Sequence, residues 1–218
     1  MPFVAKIVFM KAIVVREFGE PEVMRVEEVA KPEPTGLQVL VRIMAAGVNP
    51  VDTYLRTGIH AHAPKLPYTP GKDGAGVVEA IGDGVTRWKV GDRVYTADSL
   101  TGTYAEYSLC NDIQLGRLPD NVSFEQGAGV WTPYATSYRA LFQKAQAKAG
   151  ETVLIHGASG GVGLAAVQWA KPSRPRMAGA AMPWSNASCW RLASHRRSPT
   201  PTPKASSTPP TGETKPMA

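Results

Sequence analysis

The 218-residue sequence predicts a mixed α/β protein in which a β-rich region is followed by a strand, a glycine-rich turn and a helix. Three observations lead to this prediction. Short apolar runs separated by turn residues fill the chain before residue 130, a pattern typical of a small β-barrel or sandwich. Helical spacing of apolar residues replaces that pattern after residue 120. Residues 151–170 then combine a strand-like run, glycines and a helical run.

The apolar runs of the first region are bounded by residues that favour turns. Pro32, Pro34 and Gly36 precede the second run, and residues 82–84, Gly-Asp-Gly, follow the third. Such clusters stop a strand because proline lacks an N–H and glycine admits turn conformations. The strands predicted in this region are 11–15, 38–43, 76–81, 91–95 and 103–109.

Two helices are predicted between residues 123 and 147. Ser123 and Gln126 have the spacing of a capping box. Thr132 followed by Pro133 predicts an N-cap and a first-turn proline for a longer helix that extends to about Ala147. Apolar side chains at helical spacing predict that this helix serves mainly for packing. They are Tyr134, Tyr138, Leu141 and Phe142.

The segment from residue 151 to 170 is the most informative part of the chain. Its first half predicts a buried strand at 152–156, and its second half predicts a helix from 162 to 170. Between them, Ala158, Gly160 and Gly163 occupy the glycine positions of G-x-G-x-x-G, with alanine in the first place. Glycines let the backbone approach a pyrophosphate, and the helix N-terminus supplies N–H donors, so the segment predicts dinucleotide binding. An ordinary tight turn is the alternative.

Five sequence motifs occur in order between residues 10 and 170. They are AAGVNPVDTYLRTG, LPYTPGKDGAGVVEAIGDGV, WKVGDRV, GTYAEYSL and HGASGGVGLAAVQWA. Together they resemble the medium-chain dehydrogenase/reductase superfamily, specifically its quinone oxidoreductase branch with the zeta-crystallins. The resemblance implies a GroES-like substrate and catalytic domain at 10–130 after an extension at 1–9. It also implies the start of a Rossmann NADP-binding domain at 131–170, with the active site between the two domains.

The resemblance implies hydride or electron transfer from NADPH to a quinone, and it assigns residues to that reaction. Asn49 and Tyr54 would be the catalytic residues, and Tyr54 and Thr136 would contact the cofactor near its nicotinamide. An Asx-type turn before Pro50 is the alternative for Asn49, and a core position is the alternative for Tyr54. The residues implied to hold the pyrophosphate are Ser159, Gly160, Gly161, Val162 and Gly163.

No catalytic zinc is expected. Zinc-dependent relatives carry a cysteine ligand near residues 46–49 and a Gly-His-Glu near Gly71. This chain has no cysteine in the first region and reads Gly-Lys-Asp in the second. A protonated lysine is not a ligand, and the nearby His60 and His62 have no sulfur partner, so both histidines are expected to be solvated.

Residues 171–218 depart from the family pattern. They hold 9 of the 19 prolines, 12 Ser and Thr, and 8 Lys and Arg against a single acid. This composition predicts a disordered basic tail. Pro172, Pro175 and Pro183 are expected to prevent the second strand of a Rossmann sheet, which makes the chain resemble a truncated isoform. The expected consequences are weak or absent activity and doubtful assembly into the homo-oligomers of full-length relatives.

A lone strand and helix at 151–170 would also leave apolar surface uncovered. Val153, Ile155 and Leu164 are therefore expected to be exposed.

The net charge of +6 lies in the tail, because residues 1–170 carry 16 basic and 17 acidic residues. A basic tail attracts nucleic-acid phosphates, and zeta-crystallins bind RNA, so weak RNA binding is the alternative function. A structural crystallin-like role is a third. Two cysteines, Cys110 and Cys189, form no disulfide framework. No apolar run reaches the roughly 20 residues of a membrane span, so a cytoplasmic protein that does not bind membranes is expected.

Overall fold

The computed structural model describes residues 7–171, 176–180 and 193–194. The strands are β1 Phe9–Val15, β2 Met24–Ala30, β3 Gln38–Ala46, β4 Asp73–Ile81, β5 Arg93–Ala97, β6 Tyr107–Asn111, β7 Leu115–Arg117, β8 Thr152–His156, β9 Arg176–Ala180 and β10 Ala193–Ser194. The helices are α1 Pro50–Arg56, α2 Phe124–Ala128, α3 Trp131–Tyr138 and α4 Gly161–Ala170.

The β-rich region is built on a five-stranded antiparallel sheet in the order β6-β3-β4-β5-β7. Strands β1 and β2 form a separate pair, which is bridged from Ala12 to Ala105 and from Val15 to Tyr68, two residues outside the strands. Alternate residues of the central strands form the core, as the period of a pleated strand requires. Burial raises the pKa of the core thiol Cys110 to about 12. The core cluster contains Val39, Val41, Val78, Val85, Trp88, Val94, Cys110 and Leu115.

Each predicted strand of this region overlaps an observed one, with shifted ends. The largest shift is at 103–109, because β6 begins only at Tyr107. Thr103 instead donates its hydroxyl to the Asp73 carbonyl at 2.9 Å. Strands β2 and β7 and helix α1 were not predicted, since β2 carries exposed charges and α1 buries only Asp52 and Arg56. Neither pattern has the apolar period that reveals an element in sequence.

The capping box of α2 is confirmed. The Ser123 hydroxyl accepts the Gln126 N–H at 3.2 Å, and the Gln126 side chain accepts the Ser123 N–H at 3.0 Å. The N-cap predicted for α3 is wrong, because Val130 is the N-cap and the Thr132 hydroxyl donates to Asp73. The chain continues from α3 as a π-helical segment, Arg139–Lys144, and this helical structure ends before the predicted limit at residue 147.

Strand β8, helix α4 and strand β9 form a βαβ unit. Strands β8 and β9 are parallel, with Thr152 paired to Arg176 and His156 paired to Ala180. The expectation that prolines prevent a second strand is therefore wrong. Pro172 and Pro175 precede β9 in sequence and Pro183 follows it, so no proline occupies the strand itself. Apart from β9 and β10, the predicted tail at 171–218 lies outside the described residues.

The expected exposure of the βαβ unit holds for only one of three residues. Val153 and Ile155 are buried at 2% exposure each, whereas Leu164 is 52% exposed. The first two are covered because Leu141 of the π-helical segment and Ala166 of α4 pack with them in one cluster. None of the helices in the described ranges is both long and apolar enough to cross a membrane.

Candidate functional site

Asn49 lies at the start of α1 and is nearly buried, at 8% exposure. Its side-chain nitrogen donates to Asp73 Oδ2 at 3.1 Å, and its backbone N–H donates to Asp52 Oδ2 at 2.8 Å. Because a carboxylate only accepts, the Asp73 contact assigns the nitrogen end of the amide. The orientation of the Asn49 amide is thereby fixed, while its backbone takes part in capping α1 before Pro50.

Asp73 connects the β-rich region to α3. Its side chain is 1% exposed, and it accepts the Thr132 N–H at 3.0 Å and the Thr132 hydroxyl at 2.7 Å in addition to Asn49. Three donors satisfy this buried carboxylate, as a buried charge requires. Sequence reasoning used Asp73 only as evidence against zinc and missed this role. The Gly-Lys-Asp tripeptide was its only signal in sequence.

Tyr54 and Thr136 have exposed side chains on α1 and α3, respectively. Tyr54 is 52% exposed, so its alternative as a core aromatic is wrong. Neither side chain is recorded in a side-chain hydrogen bond within the described residues, and both are free to meet a ligand. The roles assigned to these two residues stay predictions.

The glycines in the turn between β8 and α4 have different structural roles. Gly157 has a φ of +69°, so it provides the tight turn that the motif placed at Ala158. A Cβ at Gly163 would lie 2.2 Å from the Gly157 carbonyl oxygen, so this glycine is required for packing of the helix on the turn. A Cβ at Gly160 would lie 3.5 Å from its nearest atom, and a Cβ at Gly161 would lie 3.7 Å from its nearest atom. The fold therefore does not itself require Gly160 and Gly161, which leave an open cradle.

Helix α3 links the cradle to Asn49. Pro133 on its first turn provides the atom 3.7 Å from the Cβ position of Gly161. The preceding residue, Thr132, binds Asp73, which in turn binds Asn49. Asn49 and the predicted pyrophosphate turn are thus joined through three contacting residues, Asp73, Thr132 and Pro133.

Lys72 occupies the position at which zinc-dependent relatives carry histidine. Its ammonium lies 3.4 Å from Asp98 Oδ2, and Asp98 has a φ of 103°, uncommon for a residue other than glycine. His60 accepts the His62 N–H at 3.1 Å through Nδ1, and His62 is exposed. Across the described part of the chain, no three His, Cys, Asp or Glu side chains cluster as metal ligands.

Two surface cavities lie away from these residues. One, of about 340 Å³, is lined by residues of β1 and β3 together with Lys31, Glu106 and Tyr107. The other, of about 230 Å³, lies beside Asp92, Arg93 and Arg117. Neither cavity includes a predicted site residue.

Comparisons with known proteins show the family of this chain. The alcohol dehydrogenase GroES-like domain family matches residues 35–144. The quinone oxidoreductase of Lama guanicoe is 54% identical over 163 residues, covering 74% of this chain and 49% of the relative. The quinone oxidoreductase of Homo sapiens is 53% identical over 163 residues, with 74% and 50% covered. The chain spans about half the length of the curated relatives it matches.

Solved structures are also similar to this chain. The quinone oxidoreductase of Pseudomonas syringae pv. Tomato DC3000 is 43% identical with a TM-score of 0.71, and 78% of this chain and 52% of that chain are covered. A mycobacterial protein solved in complex with NADPH is 36% identical with a TM-score of 0.71, and 78% and 51% are covered.

Proposed function

The chain belongs to the alcohol dehydrogenase GroES-like domain family of oxidoreductases, and from this premise we propose that its site takes NADPH and a quinone without zinc. The observation that carries the proposal is the open cradle at Gly160 and Gly161, at the start of α4 in a βαβ unit. Asn49, fixed by Asp73, is tied to the same cradle through α3. The site thus combines a phosphate-binding turn with an oriented polar side chain.

The pyrophosphate of NADPH would bind to the backbone of residues Ser159 to Gly163. The first N–H groups of α4 have no partner inside the helix, and the helix dipole favours an anion at this end. The absence of side chains at Gly160 and Gly161 leaves space for phosphate oxygens to approach those N–H groups. Sequence spacing, backbone conformation and free space all favour the same ligand.

When bound, NADPH supplies a hydride to the quinone. The protein's contribution is to hold both reactants in a reactive arrangement. Asn49 would present its amide to the reactants in one orientation, since one of its N–H groups donates to Asp73. Tyr54 and Thr136, exposed on α1 and α3, would contact the nicotinamide end. Lys72, a cation held by Asp98, would take the place of a zinc ligand.

We expect the 218-residue chain to bind NADPH more weakly than a full-length relative does. The resemblance implies that contacts to the adenosine 2′-phosphate come from the second half of the family's chain, and the sequence matches about half of the relatives' length. Hydrogen bonds to a charged phosphate contribute about 1.5 to 3 kcal/mol each, so losing several of them reduces affinity by several powers of ten. Quinone turnover is expected to fall with it.

The proposal is tested by titrating the full chain with NADPH and following the cofactor's fluorescence. Gly160→Leu should raise the Kd by about tenfold or more, because the side chain fills the space of the phosphate. The matched control is Gly129→Leu, at an exposed glycine whose Cβ position is likewise open, 3.6 Å from its nearest neighbour. Equal melting temperatures for the two variants would exclude an effect on folding. An unchanged Kd in Gly160→Leu would contradict the proposal.

A further inference from the structure

Helix α1 carries Tyr54 and follows its N-cap residue Asn49, the two predicted catalytic residues, yet it is only seven residues long. Helices of this length have little stability of their own, so contacts with the rest of the protein must hold α1 in place. The residues that α1 buries are Asp52 and Arg56, both charged. A helix that served packing alone would bury apolar side chains on this face.

Asp52 joins the first turn of α1 to the β-rich region. One oxygen of its carboxylate, Oδ2, accepts the backbone N–H of Asn49 at 2.8 Å and the hydroxyl of Tyr104 at 3.0 Å. Tyr104 is itself fixed by the sheet, since its carbonyl accepts the Ile13 N–H and its N–H donates to the Pro70 carbonyl. A single oxygen thus anchors the residue that precedes α1 to a rigid loop.

The other side of the same carboxylate faces a polar buried region. Asp52 Oδ1, Arg56 Nε and the Tyr68 hydroxyl are buried and have no hydrogen-bond partner among the described residues. Burial raises the pKa of Tyr68, and the charge of Asp52 adds to this effect while that of Arg56 opposes it. Arg56 also lies 3.7 Å from the exposed Glu20. Native proteins satisfy most buried polar atoms, so a group of this kind has room for a polar partner such as water or a ligand.

The fold is less stable with Asp52 ionised than with Asp52 protonated. Burial raises its pKa, and the negative charge of Asp73 adds to the effect, while the bonds from Asn49 and Tyr104 and the charge of Lys72 oppose it. Because the folded state holds the proton more tightly than the unfolded chain, the Asp52 contribution to stability falls as pH rises from the ordinary aspartate range through the folded pKa. A carboxylate retained at such a cost is typical of functional sites.

We propose that Asp52 is a positioning residue whose carboxylate, shared between Asn49 and Tyr104, sets the place of α1 and so of Asn49 and Tyr54. The placement of Asn49 follows from contacts in this structure alone. The consequence for NADPH rests on the proposed function. Neither Asp52 nor Tyr104 reacts; they fix the helix that presents the residues meeting the reactants.

Three variants of the full chain separate the parts of this proposal. Asp52→Ala removes the acceptor, Asp52→Asn retains an oxygen that can accept both bonds, and Tyr104→Phe removes only the hydroxyl. Asp120→Ala is the control, because its side chain is fully exposed at 101%. The measurements are amide hydrogen exchange over residues 50–58, the side-chain amide resonances of Asn49, and the Kd for NADPH well below the melting temperature.

In Asp52→Ala, exchange over residues 50–58 should accelerate by about tenfold or more, the Asn49 amide resonances should shift, and the Kd should rise about fivefold. Asp52→Asn should restore most of each value, and Tyr104→Phe should be intermediate. Unchanged exchange and resonances in Asp52→Ala would overturn the proposal. A lower melting temperature with an unchanged Kd would show that Asp52 contributes to stability alone and does not position the residues that meet NADPH. Failure of the unmutated chain to bind NADPH would instead contradict the proposed function, while the resonances would still report on the placement of Asn49.

Discussion

The β-rich region and the βαβ unit present their candidate residues in opposite ways. In the β-rich region, Asn49 is held by two buried carboxylates, that of Asp52 on the first turn of α1 and that of Asp73, which is 24 residues away. In the βαβ unit, the cradle is bare backbone, whose shape depends on glycines within seven residues of one another. The first region orients an amide through fixed charges, and the second leaves room for a charged ligand.

The two regions therefore differ in which substitutions lower their stability. A buried carboxylate that serves several donors cannot be replaced without leaving those donors unsatisfied. The backbone cradle tolerates change wherever a Cβ finds space and fails only where the helix touches the turn. Three substitutions test this contrast, in decreasing order of expected effect on stability.

Asp73→Ala should have the largest effect, because Asp73 binds Asn49 and also Thr132 of α3, the helix that contacts the cradle through Pro133. The expected loss is about 3 to 5 kcal/mol of unfolding free energy, since each bond to a charged acceptor contributes about 1.5 to 3 kcal/mol and relaxation recovers a part. Chemical denaturation followed by tryptophan fluorescence measures it.

Asp83→Ala is the control for this substitution. The Asp83 carboxylate accepts a single backbone bond, from Gly36 at 3.0 Å, on an exposed turn. Its removal should therefore lower stability by at most about 1 kcal/mol. Equal losses for the two variants would show that burial and multiple donors do not distinguish Asp73.

Gly163→Ala should come second and should act on the βαβ unit. The new Cβ would lie 2.2 Å from the Gly157 carbonyl oxygen and 2.8 Å from the Ala158 Cα, both backbone atoms that move little. Overpacking of this kind typically lowers stability by about 1 to 3 kcal/mol. Gly160→Ala provides the comparison, since its Cβ would meet only ordinary contact at 3.5 Å. A thermal melt of both variants should show a loss for Gly163→Ala alone.

The same contrast explains what the sequence could predict. The glycine turn, β8 and α4 were predicted because their signals lie within 20 consecutive residues, and the resemblance to quinone oxidoreductases is confirmed by the relatives. The long-range contacts of Asn49, Asp52 and Thr132 were not predicted. Asp73 is 24 residues from Asn49 and 59 from Thr132, and Tyr104 is 52 residues from Asp52. No local pattern encodes contacts over such separations.

Thr132 and β9 show how a correct local signal can mislead. Thr132 before Pro133 has the form of an N-cap, but its hydroxyl and N–H donate to Asp73, and α3 begins two residues earlier than predicted, with Val130 as its N-cap. The prolines around β9 indicated an end to regular structure, whereas they flank a five-residue strand that pairs with β8. In both cases a tertiary contact outweighs the local preference.

Ser123→Ala should have the smallest effect, because the capping box of α2 is local and exposed. The variant removes the acceptor for the Gln126 N–H, recorded at 3.2 Å, while the Gln126 side chain still accepts the Ser123 N–H. Loss of an N-cap side chain typically lowers stability by about 1 kcal/mol, and the same denaturation measurement applies. Ser123→Asp keeps an acceptor at the cap and should remain within about 0.5 kcal/mol of the natural chain. Helix α2 packs through Ala128 against Gly47, since a Cβ at Gly47 would lie only 2.2 Å from the Ala128 carbonyl oxygen. A loss of stability as large as that of Asp73→Ala would therefore mean that the cap of α2 positions the segment leading to Asn49. A loss near 1 kcal/mol with an unshifted Asn49 amide resonance would instead show that the buried carboxylates place this residue.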